Sequence, residues 1–176
     1  MKHVESYRQL AEFGRELLNR PSLDKGLPII SEYAKNVLEV ERCSIFIYNK
    51  KLNLLWTVMA DGCRKIMIDS DQGIVGKCVQ NATPIIANDP YSDDSFFPEI
   101  DQRTGFKTEN LAVVPIYSSE RDVMGALELL NKNDDFGDDD LRFMKFFCTY
   151  ISGYLELALL FEDEEKYLLE DHYKLT

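Results

Sequence analysis

Four cysteines, two histidines and a spread of carboxylates are the side chains able to do chemistry in this chain. Cys43, Cys63, Cys78 and Cys148 contain no C-x-x-C pair, which argues against zinc and a disulfide framework and for reduced, packed thiols. Cys63 and Cys78 fall after the second strand and in the short helix described below, where they keep a thiol redox reaction in play. His3 and His172 sit in charged terminal segments; a central site therefore has no histidine for a nucleophile pair, most catalytic zinc sites or histidine-ligated haem. Asp89, Asp93, Asp94 and Asp101 crowd one segment but lack the alternating ligands, central Gly and terminal Glu of a calcium loop. No metal site is expected, and these acids read as solvated.

Several polar residues have two readings. Glu128 shares a strand face with Met124, Ala126 and Leu130, so it either enters a pocket or marks a solvated margin, and burial would demand a hydrogen-bonding partner. Ser44, between Cys43 and Ile45, suits a ligand or a backbone group equally. Thr104 and Thr108 enclose Gly-Phe-Lys and suit local turn and capping roles. Phe96 and Phe97 either cover a ligand or pin a loop to the core.

These residues need a scaffold, and 176 residues with 45% apolar composition provide one domain with a full core. A net charge of −11 without a basic stripe makes nucleic acid and anionic membrane poor partners. The N-terminal residues lack a signal-peptide core and no uninterrupted apolar run approaches spanning length, so the expected location is the cytoplasm.

Helical spacing of Tyr7, Leu10, Ala11, Gly14, Leu17 and Leu18 predicts a first helix within 1–20, ended by Arg20-Pro21-Ser22. Ser22 is a candidate cap for a second, with the stripe Leu27, Ile30, Ala34, Val37 and Leu38 and a Pro28 that disfavours its early turns. Residues 43–48 and 54–60 read as a β-hairpin, followed by strands at 65–69 and 84–87 around a short helix at 74–80. Residues 88–108 are polar, Asp-rich and aromatic, a loop length that compact domains keep for lids or binding surfaces. Strands at 111–117 and 123–131 make six, and Asp138, Asp139 and Asp140 open a long last helix carrying Leu141, Met144, Cys148, Ile151, Leu155 and Ala158. The expected fold is α+β: a six-stranded antiparallel sheet with helices on one face and a lid over a ligand pocket on the other. Residues 22–160 form the core, and 161–176 a charged helical extension that projects outward or pairs with a second chain.

In this order, Asp71-Gln72-Gly73-Ile74-Val75-Gly76, Asn88-Asp89-Pro90-Tyr91, Thr104 to Leu111 and Gly125 to Lys132 resemble the GAF domains of cyclic-nucleotide phosphodiesterases, adenylyl cyclases and bacterial signalling proteins. The resemblance spans nearly the whole chain. It implies a regulatory, non-catalytic module that binds a small molecule, with no required cofactor and a cyclic nucleotide, cGMP or cAMP, as candidate ligand. It implies ligand contacts from Ser44, Asp61, Asp101, Thr104, Thr108 and Glu128, and from backbone groups of Ile74, Val75 and Phe97. A helix start at Ile74 and Val75 suits an anionic phosphate without Arg or Lys. Asn131, Lys132, Phe136 and Asp140 match a supporting motif in which the Lys–Asp pair braces the pocket; Leu141 stands where those domains carry Glu. Ala60 stands where a phosphodiesterase GAF domain has a purine-stacking Phe, and alternation sends Met59 to the opposite face.

The expected partners are a small-molecule ligand, a second copy joined through the terminal helices, and an effector domain of nucleotide cyclase, phosphodiesterase or kinase type. The alternatives are a methionine sulfoxide reductase-like thiol enzyme using Cys63 and Cys78, and a ligand-free structural dimerisation module.

Overall fold

Strands rich in β-branched and aromatic residues form one sheet. In the computed structural model, which describes residues 2–19, 23–61, 65–161 and 173–174, these are β1 (Val40–Asn49), β2 (Leu54–Ala60), β3 (Ile66–Asp69), β4 (Ile85–Ala87), β5 (Leu111–Tyr117), β6 (Val123–Lys132) and β7 (Tyr173–Lys174). They lie in the order β4-β5-β6-β1-β2-β3-β7, and the first six pair antiparallel. The seventh, two residues long, adds parallel to the edge of β3. The helical extension expected over 161–176 falls largely outside the described residues, where only Phe161, at the end of the last helix, and Tyr173–Lys174 are described. Residues 162–172 lie outside the described residues, as do Ser22 and Cys63.

Alternation divides the strands between two cores. Cys43, Ile45 and Ile47 of β1, Trp56 and Val58 of β2, Ala112, Val114 and Ile116 of β5, and Leu127 and Leu129 of β6 meet helices α1 (Lys2–Leu18), α2 (Leu23–Leu38) and α5 (Asp138–Phe161). Helix α2 runs through Pro28; its stripe of Leu27, Ile30 and Ala34 is fully buried, and about 1.5–3 kcal/mol per buried Leu or Ile compensates for the backbone bond that proline removes. Helix α5 is long and apolar enough to cross a membrane, yet Met144, Phe147, Cys148, Ile151 and Leu155 are spent in this core.

The other sheet face carries Phe46, Leu55, Ile66, Ile68, Leu111, Val113 and Ala126, covered by α3 (Gly73–Asn81) and by the 88–108 segment. That segment holds a 3-10 turn (Pro90–Ser92) and a short helix, α4 (Glu99–Thr104). Alternation along β1 and β6 thus builds the architecture expected from the sequence, with α3 added beneath the lid.

Candidate functional site

Between the sheet and the lid lies a cavity of about 60 Å³. Its floor comes from alternate residues of adjacent strands: Arg42, Ser44 and Phe46 of β1, Ile66 and Ile68 of β3, Leu111 of β5, and Glu128 and Leu130 of β6. The start of α3 and the lid residues Phe96, Phe97, Ile100, Asp101, Thr104, Phe106 and Thr108 close it, with Asp61 at the end of β2. All nine residues that the resemblance assigns to a ligand line this one space.

Their commitments differ. Asp101 is buried and already engaged on the lid: Oδ2 accepts the Tyr91 hydroxyl at 2.8 Å and the Thr108 N–H at 2.7 Å, and Oδ1 accepts the Thr108 hydroxyl at 2.9 Å. These charge-assisted bonds tie both ends of the lid together. Thr104 is exposed and serves the turn, donating to the Ile100 carbonyl at 2.8 Å and accepting the Phe106 N–H at 3.3 Å. Asp61 faces two ways. It lines the cavity, but its Oδ2 accepts from Ser31 Oγ, Cys43 N and Lys35 Nζ, each at 3.1 Å, which anchors α2.

Glu128 and Ser44 are cross-strand neighbours, and neither side chain has a hydrogen-bonding partner among the described residues. Glu128 is half-buried, with the cavity as its open side. Desolvation, then the charge of Asp101, pushes its carboxyl up to about 7. A carboxyl partly withdrawn from water without a partner is costly unless something else meets it. At the start of α3, Gln72 makes no side-chain cap and no acid occupies the first turn, so the N–H groups of Gly73, Ile74 and Val75 open a helix without intrahelical partners. Gly73, at φ +70°, permits the tight entry there.

The supporting motif is assembled as the resemblance implies. Lys132 Nζ meets Asp140 Oδ2 at 3.0 Å, and the same oxygen accepts the Gly137 N–H at 2.9 Å. Phe136 is buried, and its backbone is held on both sides by Asn88 at 2.9 and 3.1 Å. Asn131, at φ +57°, bonds the Lys107 carbonyl, the Glu109 N–H and Glu41. Together these bonds fix both ends of the lid to the β6–α5 connection. Leu141 packs against the helix-side core, and Ala60 pairs with Ser44 and packs on the cavity side.

Sequence reasoning missed Arg42. Its guanidinium lies 3.7 Å over the Phe106 ring and it lines the cavity, whereas the expected anion site contained no Arg or Lys. Alternation from Ser44 would have placed it on the same face. The three described thiols are poor nucleophiles: burial holds Cys43 and Cys78 up to about 12 and pushes Cys148 upward as well. No group of three or more His, Cys, Asp or Glu suited to a metal occurs among the described residues.

Residues 22–155 match the family model described as GAF domain. The chain is 26% identical over 175 residues to the dual 3',5'-cyclic-AMP and -GMP phosphodiesterase 11A of Takifugu rubripes, covering 88% of this chain and 19% of that protein. The chain thus spans about a fifth of that relative's length. Among solved structures, the GAF domain of an Acinetobacter phosphoenolpyruvate-protein phosphotransferase superimposes with a TM-score of 0.74 at 20% identity, covering 89% of this chain and 96% of that one. The free methionine-R-sulfoxide reductase of Neisseria meningitidis does so at 0.72 and 11% identity, over 92% and 95%. At these identities the two structures share a fold.

Proposed function

The chain belongs to the GAF domain family, and from that premise we propose that the space beneath the lid is the ligand pocket of a regulatory sensor whose ligand is a cyclic nucleotide, cGMP or cAMP. The observation that carries this reading is the half-buried Glu128 carboxyl on the cavity floor, without a hydrogen-bonding partner among the described residues, beside the equally unpartnered Ser44. A purely structural module whose pocket is filled by its own side chains has no reason to leave such groups unmet. The uncapped start of α3 supplies N–H donors suited to a cyclic phosphate. The phosphodiesterase relative adds weight to the nucleotide class.

A cavity of about 60 Å³ holds a few waters, whereas ligand sites commonly occupy ~300 Å³ or more. Binding therefore requires the 88–108 lid to lift and close again. Its Asp101–Tyr91–Thr108 bonds are the contacts that break and re-form. Asp61 carries the event outward, since a ligand contacting it would compete with its hold on Ser31 and Lys35 of α2. Such a switch works only through differential affinity for the two arrangements, typically 1–3 kcal/mol.

The outlet is a homodimer. Phe146, Tyr150, Gly153, Leu157 and Leu160 recur on α5 at coiled-coil spacing, and the four larger side chains are exposed. The signal passes to an effector domain of cyclase, phosphodiesterase or kinase type within a longer assembly. Calorimetric titration with cGMP and cAMP, on the wild type and on Asp61→Ala and Thr108→Ala, tests the reading. Saturable binding that both substitutions weaken supports it; no heat at millimolar nucleotide refutes it.

A further inference from the structure

Four charged side chains line the cavity, and two are already engaged. Asp61 is held by Ser31, Cys43 N and Lys35, and Asp101 by Tyr91 and Thr108. Arg42 and Glu128 remain. Arg42 makes no ion pair among the described residues and rests on Phe106 alone, while Glu128 has no partner. Their relative position follows from the register of β1 and β6. Ser44 stands opposite Glu128 and Arg42 opposite Leu130, so Arg42 and Glu128 are diagonal neighbours on one face, about 7–8 Å apart by backbone. They make no ion pair with each other, the guanidinium lying on Phe106 instead, and both line one space with Ser44 between them on the strand face.

A planar ligand bridging them must offer acceptors to the guanidinium and N–H donors to the carboxylate. Guanine has both on contiguous edges: O6 and N7 match an arginine fork, and N1–H with the N2 amino group faces the next side. Adenine inverts the pattern, placing an amino donor where the fork needs O6 and a bare N1 lone pair where the carboxylate needs a donor. Resting on the cyclic-nucleotide reading above, we infer that Arg42 and Glu128 are the base-reading pair of this pocket and that they select guanine over adenine. Capture transfers the Arg42 guanidinium from Phe106 to the base, which also frees Phe106, between Thr104 and Thr108, to adjust with the lid. A cation–π contact between half-buried residues is weak enough to be exchanged in this way.

The test is titration with cGMP and cAMP at pH 8, where Glu128 is ionised, on the wild type, Arg42→Met, Arg42→Lys and Glu128→Gln. Thermal melts confirm that each variant folds. The wild type is expected to prefer cGMP by at least tenfold. Arg42→Met should weaken cGMP about tenfold with little change for cAMP, and Arg42→Lys, which keeps the charge but loses the fork, should fall between. Glu128→Gln, whose amide both donates and accepts, should bring the two affinities within about threefold. Equal binding of both nucleotides by the wild type, a preference for cAMP, or a ratio unchanged in Arg42→Met and Glu128→Gln overturns the base-reading pair while leaving the pocket a nucleotide site. Failure of the wild type to bind either nucleotide overturns both.

Discussion

Glu128→Gln should make the ligand-free protein more stable, and by an amount that depends on pH. The folded protein holds the Glu128 carboxyl near 7 against an ordinary value of 4.5. Between those values the folded state keeps a proton that the unfolded chain has released, so this group makes stability fall as pH rises through that window. At about 1.4 kcal/mol per unit, the full cost above pH 7 is about 3 kcal/mol. At about pH 5 the cost has dropped under about 1 kcal/mol, and below about pH 4 both states are largely protonated and it vanishes. Glutamine keeps the shape and never ionises. Asp61, Asp101 and Arg42 share the cavity with Glu128, and comparing the two proteins at each pH subtracts the slopes of these and all other groups. Urea unfolding followed by the fluorescence of Trp56, which is fully buried, at pH 5, 6, 7 and 8 measures the difference. The variant should gain less than about 1 kcal/mol at pH 5 and about 2–3 kcal/mol at pH 8. A variant less stable than the wild type at pH 8, or a difference that does not vary with pH, refutes the reasoning.

Three further outcomes follow from the packing. Thr108→Val leaves Asp101 Oδ1 without its 2.9 Å donor in a buried setting, so stability should fall by about 1.5–3 kcal/mol in the same urea assay, with faster limited proteolysis inside 88–108. A Cβ at Gly125 would sit 2.1 Å from the Phe46 carbonyl oxygen, a backbone atom of the paired strand; Gly125→Ala should cost more than about 4 kcal/mol or abolish soluble folding, read by yield and thermal melt. Leu157→Glu with Phe146→Glu, at exposed α5 positions, should shift the sedimentation coefficient to that of a monomer with little change in the circular-dichroism spectrum.

Local pattern carried most of the fold because local pattern is what made it. Period-two alternation in β1 and β6 assigns Ile45 and Leu127 to one core and Phe46 and Ala126 to the other, and the three acids at 138–140 mark where α5 begins. The Lys132–Asp140 pair was legible for the same reason, its partners being eight residues apart. What escaped the sequence was set by partners distant along the chain. Asp61 turns toward α2 because Ser31 and Lys35 lie there, 30 and 26 residues earlier. Asp101 is filled by Tyr91 and Thr108 only once the lid has folded on itself. Arg42 belongs to the cavity through its register with Leu130, a pairing across 88 residues that no neighbouring motif announces. Pro28 disfavours the early turns of α2, and burial of its stripe overrides that.

The central claim is that ligand capture under the lid is felt at the terminal helices, and amide hydrogen exchange of the protein with and without millimolar cGMP addresses it most directly. The account predicts slowed exchange over 88–108 and at the start of α3, accompanied by altered exchange in α2 and α5. Unchanged exchange throughout the chain would contradict it, as would protection confined to the lid with α2 and α5 unaffected.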